Sequence, residues 1–177
     1  VAPPMERFDP SKSGADRKFL SFWSKMDLGH VFGFPAWEAE VFELLHTAYP
    51  ELKSIYTQYA KVGGVGTSVR HAETMQQTEL VDLALDCGLA TAAFPMARVQ
   101  LVFARADMTE DGKAGDQALE LHEFLEAVVQ LSFSRANPRC GEAGDELRPG
   151  SSADIAGCPR PLKDRILIGP GERSSLN

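Results

Sequence analysis

The chain has 177 residues, 44% of them apolar and 24% charged, which fits one globular domain with terminal arms. Its formal charge of −7 argues against non-specific binding to nucleic-acid phosphates, because that mode depends on clustered Lys and Arg. The longest apolar runs, such as Ala127-Val128-Val129 and Ile166-Leu167-Ile168, fall far short of the roughly 18–20 residues that cross a bilayer, and no apolar leader opens the chain, so no membrane insertion is expected.

Residues 1–14 are rich in Pro, Ser and Gly and read as an arm, and the opening Val is not taken as a native start. From about Asp16, the spacing of Phe19, Phe22, Trp23 and Met26 predicts a short amphipathic helix ending near Gly29. Residues 31–35 form an apolar connector. Trp37, Val41, Leu44, Leu45 and Ala48 then mark one face of a helix. Pro50 is expected to begin another, with Leu52, Ile55, Tyr56 and Tyr59 buried, because a proline's missing N–H is harmless at a helix start.

Residues 61–73 contain three glycines and no periodicity and are expected to be a loop. The run Gly63-Gly64-Val65-Gly66-Thr67-Ser68 lacks the Lys that a phosphate loop places before its Thr. Thr74 and Gln77 read as a capping box for a helix that buries Leu80, Leu83, Ala84 and Cys87 and stops at Gly88. Pro95 opens the next helix, with Met96, Val99, Val102 and Phe103 inward. A second polar loop follows at 107–118. The last helix buries Leu121, Phe124, Leu125, Val128 and Ser132 and stops before Asn137-Pro138. Six helices and no strand pairing are expected. Residues 137–177 shift to Gly, Pro, Ser and Arg around one apolar patch, Ile166-Leu167-Ile168, and are expected to order only against a partner.

The second loop carries the informative constellation. Phe103 precedes Asp107-x-Thr109-x-Asp111-Gly112, which satisfies the first half of a calcium-loop motif, and Glu123-Phe124 fits the start of its exiting helix. A calcium loop closes in about 12 residues, whereas Asp107 to Glu123 takes 17 counted inclusively. In the first loop, Ala60 stands at the first-ligand position, Glu79 lies about 20 residues on, and Lys61, Arg70 and His71 lie between, with no acidic cluster. A hard dication needs about 6–8 converging oxygens. Neither loop offers them, so no metal ligands and no cofactor are assigned.

The layout resembles a known family. Ile55-Tyr56-x-x-Tyr59-Ala60-x-x-Gly63, Met75, Leu83, Asp86-Cys87, Val99-x-x-Val102-Phe103 and Glu123-Phe124-x-x-Ala127 together resemble the core of the tubulin polymerization-promoting protein family across about residues 50–135. Glu6-Arg7-Phe8-Asp9-Pro10-Ser11 is similar to an Arg-Phe-Asp segment that follows the core in that family but precedes it here. The lengthened loops also resemble those of EF-hand-type proteins of cilia and flagella. The resemblance implies an EF-hand-derived, mostly calcium-incompetent helical core that binds and bundles microtubules.

Other candidate sites have ordinary readings. Asp9-x-Ser11-x-Ser13-Gly14 is expected to be a turn before a helix. His30, His46, His71 and His122 form no metal-binding pair, and no nucleophile motif names a catalytic residue. Cys87, Cys140 and Cys158 form no CxxC pair, so neither a disulfide framework nor a zinc site is suggested, and a reducing, cytoplasmic compartment fits. Phe19, Phe22, Trp23, Phe32, Phe34 and Trp37 are expected either to pack into the core or to form a partner-binding face.

These readings combine into an all-α chain of paired EF-hand-like helix-loop-helix units with an additional N-terminal helical region and extended arms. Its parts are an N-terminal arm at 1–34, a helical domain at 35–136 and a tail at 137–177. The expected role is that of a non-enzymatic structural protein within a larger cytoskeletal assembly, with tubulin or axonemal proteins as partners, in cytoplasm, cilium or flagellum. Two alternatives are a calcium sensor and an accessory subunit of another large organellar complex.

Overall fold

The computed structural model describes residues 6–62, 74–109 and 111–137. Five α-helices lie among them: α1 (Arg17–Lys25), α2 (Glu38–Val62), α3 (Gln77–Asp86), α4 (Met96–Ala106) and α5 (Leu121–Ala136). Two strands, β1 (Met75–Gln76) and β2 (Ala118–Leu119), pair antiparallel, with Met75 opposite Leu119 and Gln76 opposite Ala118. The chain is thus predominantly helical, as expected, but the expected absence of strand pairing is corrected. A two-residue strand is too short to show a period of two in the sequence.

Local chemistry sets most helix ends. The Asp16 carboxylate accepts the Phe19 N–H at 3.4 Å and starts α1. α1 stops at Lys25, short of Gly29, because Met26 turns extended. Pro95 occupies the N-cap of α4. Gly88, with φ of 60°, follows α3 in the left-handed conformation, and Leu89 N–H bonds back to the Ala84 carbonyl at 2.9 Å. The cap of α3 differs from the expected one. Gln76, not Thr74, is the N-cap, and its N–H donates to Glu79 Oε2 at 2.9 Å.

Residues 37–62 depart most from expectation. The two helices predicted on either side of Pro50 are one 25-residue helix with Pro50 inside it. An interior proline costs about 3 kcal/mol, so something must hold the two halves in line. The first half buries Val41, Phe42 and Leu45 in one apolar cluster, and the second buries Tyr56 and Ala60, Tyr56 in the other. Tyr49 and Leu52, flanking the proline, pack against both clusters. The buried stripe is also rotated from the predicted one: Phe42 is fully buried and Leu44 is 45% exposed.

The first cluster joins α2, α3, α4 and α5 through residues such as Leu80, Val99, Phe103 and Phe124. The second gathers Phe19, Trp23, Trp37 and Phe42 against Val129 and Phe133 of α5. The N-terminal aromatic residues therefore belong to the core. α5 serves both clusters and buries nearly every face, although Ser132, predicted inward, is exposed and donates to the Val128 carbonyl. Cys87, also predicted inward, is exposed at the end of α3. Asn137 closes α5, its N–H donating to the Phe133 carbonyl at 2.9 Å. The glycine run at 63–68, His71, Cys140, Cys158 and the rest of the tail lie outside the described residues.

Candidate functional site

β1 and β2 pair immediately before α3 and α5 and so join the starts of these two helices. Tyr56 fastens α2 to this junction. Its buried hydroxyl donates to the Leu119 carbonyl at 3.0 Å, and its ring lies 5.4 Å from that of Phe124. Both exiting helices begin alike. Glu79 and Glu123 each stand at the third helical position and reach back to a backbone N–H, from Gln76 at 2.9 Å and from Glu120 at 2.7 Å. The two glutamates that a calcium loop would use as ligands therefore act here as helix caps.

Asp107, at the end of α4, is buried to 7% exposure, and its Oδ2 accepts the Gln117 N–H at 3.0 Å. Gly115 lies so close that a Cβ there would meet the Asp107 carbonyl oxygen at 1.8 Å, so only glycine fits. Thr109 is engaged with the backbone, its N–H donating to the Lys113 carbonyl at 3.0 Å and its Oγ1 accepting the Lys113 N–H at 3.2 Å. Gly112, with φ of 72°, closes that turn. Asp111 is exposed, and Asp116 Oδ1 accepts the Ala118 N–H. Burial raises the pKa of Asp107, opposed by the Gln117 N–H. Glu123 is pushed up to about 7, chiefly by burial and further by the carboxylates of Glu120, Asp107 and Asp116.

This donor set does not suit calcium. The Asp107, Thr109 and Glu123 oxygens are turned to the chain's own amides, and among the described residues no three His, Cys, Asp or Glu side chains converge to hold a metal ion. What the junction does form is a cleft of about 490 Å³ between the start of α3, the end of α4 and the second loop, lined by residues including Gln76, Thr78, Phe103, Ala104, Asp107 and Asp116.

No family model matches the chain, and neither does any curated protein or solved structure. No helix among the described residues is long and apolar enough to cross a membrane.

The segment with Arg7-Phe8-Asp9 has a clear structural role. Arg7 makes a two-point contact with the buried Glu38, Nη2 to Oε1 at 2.6 Å and Nε to Oε2 at 3.2 Å, while its guanidinium lies 4.8 Å from the Phe34 ring centre. Phe8 packs 4.9 Å from Phe42, and Asp9 caps a 3-10 turn at Pro10–Lys12, the expected turn. His46 stacks on Phe42, and His122 Nδ1 lies 3.4 Å from Glu120 Oε2.

Sequence reasoning missed Glu126. This carboxylate, 6% exposed, accepts the Asp27 N–H and the Gln130 side-chain amide, each at 3.2 Å, and so ties α5 to the connector after α1. Burial lifts it to about 8, helped by the nearby Asp27 and Glu123. A signal was present. The run from Phe124 to Phe133 is apolar around most of its circumference, with Ser132 on its exposed side, and Glu126 and Gln130, four residues apart, fall on one of its buried lines.

Proposed function

We propose that this chain is a non-enzymatic structural and interaction protein, a paired EF-hand-like helical core that docks within a microtubule or axonemal assembly and is not regulated by calcium. The observation that carries the reading is the junction itself. Two lengthened loops are bridged by the pairs Met75/Leu119 and Gln76/Ala118, each just ahead of a helix whose third residue is Glu. Such a bridge couples two helix-loop-helix units back to back. On this reading the coupling is kept while the ligand oxygens are tied to the backbone, which leaves shape and surface as what the core contributes. The sequence resemblance supports the choice of microtubules as partner class, and the tail would add contact area by folding on binding.

The test is co-sedimentation with polymerised tubulin, together with cross-linking mass spectrometry on native material. Saturable co-sedimentation, with cross-links from the chain to tubulin or axonemal proteins, is expected. Recovery with subunits of an organellar membrane complex instead would overturn the assignment. A calcium-sensor reading draws on the raised pKa values of Asp107 and Glu123, since a dication would relieve that crowding. Calorimetric titration separates it: micromolar binding abolished by Asp107→Ala would replace the scaffold reading.

A further inference from the structure

α4 is apolar on two faces, and the core uses only one. Val99, Val102, Phe103 and Ala106 are buried. On the outer side Ala97, Leu101 and Ala104 follow at i, i+4 and i+7, and Met108 continues the line just beyond the helix. Leu101 is 68% exposed and Met108 46%. A single exposed leucine is ordinary, but a stripe that runs along a whole helix and opens into a cleft is the pattern of a docking surface. The opening is through Ala104, which lines the 490 Å³ cleft beside Asp107 and Asp116. The stripe is therefore acidic at its Met108 end, where exposed Asp111 also stands, and basic along one edge, where Arg98 and Arg105 flank Leu101.

An occupant of such a surface carries apolar side chains for the stripe and cations beside them for the acidic end. The chain contains one segment of that composition beyond Asn137. Arg160, Lys163 and Arg165 lead directly into Ile166-Leu167-Ile168. The tether is ample. α5 ends near the start of α4's own connection, since Arg135 Nε donates to the Leu89 carbonyl at 3.1 Å. Twenty-two residues lie between Asn137 and Arg160. That is roughly 75 Å of extended chain, against about 16 Å for the whole of α4. A covalent tether of this kind gives effective concentrations on the order of millimolar, so even a weak contact is populated. An antiparallel second copy on the same stripe would set Arg98 and Arg105 of both chains along one edge, which disfavours self-pairing.

We propose that residues 160–168 dock on the chain's own α4 stripe, with Ile166, Leu167 and Ile168 against Leu101 and the preceding cations at the cleft that Asp107 and Asp116 line. The proposal concerns the free chain and does not require the microtubule reading.

The full-length chain provides its own probe. Replacing Cys87 and Cys140 by Ser leaves Cys158, two residues before Arg160, as the single attachment point for a nitroxide. Methyl NMR of a methionine-labelled sample then compares Met108, on the stripe, with Met26, which packs between the two apolar clusters. The expected result is broadening of Met108 several-fold greater than that of Met26. It should be independent of protein concentration and lost in the Ile166→Ser/Leu167→Ser variant. The proposal is overturned by Met108 broadening no greater than that of Met26, by broadening that survives those two substitutions, or by broadening that transfers to unlabelled chains in a mixed sample. The last outcome would assign the stripe to a second copy.

Discussion

Two buried carboxylates show how differently one residue type can be held. Glu38 is paired with Arg7, and removing that partner leaves a carboxylate at 1% exposure with, among the described residues, just the Phe8 N–H at 3.4 Å. Arg7→Ala should destabilise the chain by about 2 kcal/mol in urea unfolding, and Arg7→Ala/Glu38→Gln should recover part of that loss. Glu126 is held instead by two neutral donors, the Asp27 N–H and the Gln130 side-chain amide, and pairs with no cation among the described residues. Its pKa is lifted to about 8, so the folded state keeps a proton that the unfolded state gives up near the ordinary value of 4.5. Its stabilisation is therefore full below about pH 4.5 and is lost as pH rises through about 8, a span worth up to about 5 kcal/mol. His30 works in the opposite sense: burial lowers its pKa, so its contribution is present at high pH and lost as pH falls through its folded value. Glu126→Gln keeps an acceptor for the Asp27 N–H and should flatten the decline between pH 5 and 8, making the variant more stable than wild type at pH 8. An unchanged pH profile of the unfolding midpoint would count against this account.

At the scale of elements, what was legible in the sequence was what a few neighbouring residues decide. Asp16, Gly88 and Pro95 each act within one turn of themselves, and each does what its chemistry predicts. Pro50 was misread because its local preference is overridden from a distance, by apolar anchors on both sides of it. Pro50 is exposed, so Pro50→Ala should restore an N–H to the helix without disturbing the core and raise stability by about 1–3 kcal/mol, read as a higher thermal midpoint. The loop junction was half legible. Glu123 and its lengthened loop could be counted from the sequence, but the use of Glu79 and Glu123 as caps depends on where each helix begins, which shifted by two residues from the Thr74 reading. Glu79→Gln should be tolerated, because a glutamine also accepts from Gln76 N–H, whereas Glu79→Ala should cost about 1 kcal/mol.

Across the whole molecule, the decisive feature is that two apolar clusters share one helix. α5 sends Phe124, Leu125 and Leu131 into the first and Val129 and Phe133 into the second, and α2 crosses between them at Tyr49 and Leu52. Neither cluster can open without uncovering a face of α5, so the two should unfold together. Both tryptophans of the chain, Trp23 and Trp37, sit in the second cluster, so their fluorescence reports it alone, while far-UV circular dichroism reports all the helices. Leu125→Ala removes a fully buried side chain from the first cluster and should destabilise by about 2–5 kcal/mol. Under a shared transition, the midpoint detected by tryptophan must fall as far as the midpoint detected by circular dichroism, although no tryptophan belongs to the mutated cluster. A tryptophan midpoint that stayed in place while the dichroism signal split in two would mean that the clusters are independent units and that α5 only bridges them. The same coupling would let a partner that grips one cluster stiffen the other, which is the mechanical behaviour a scaffold requires.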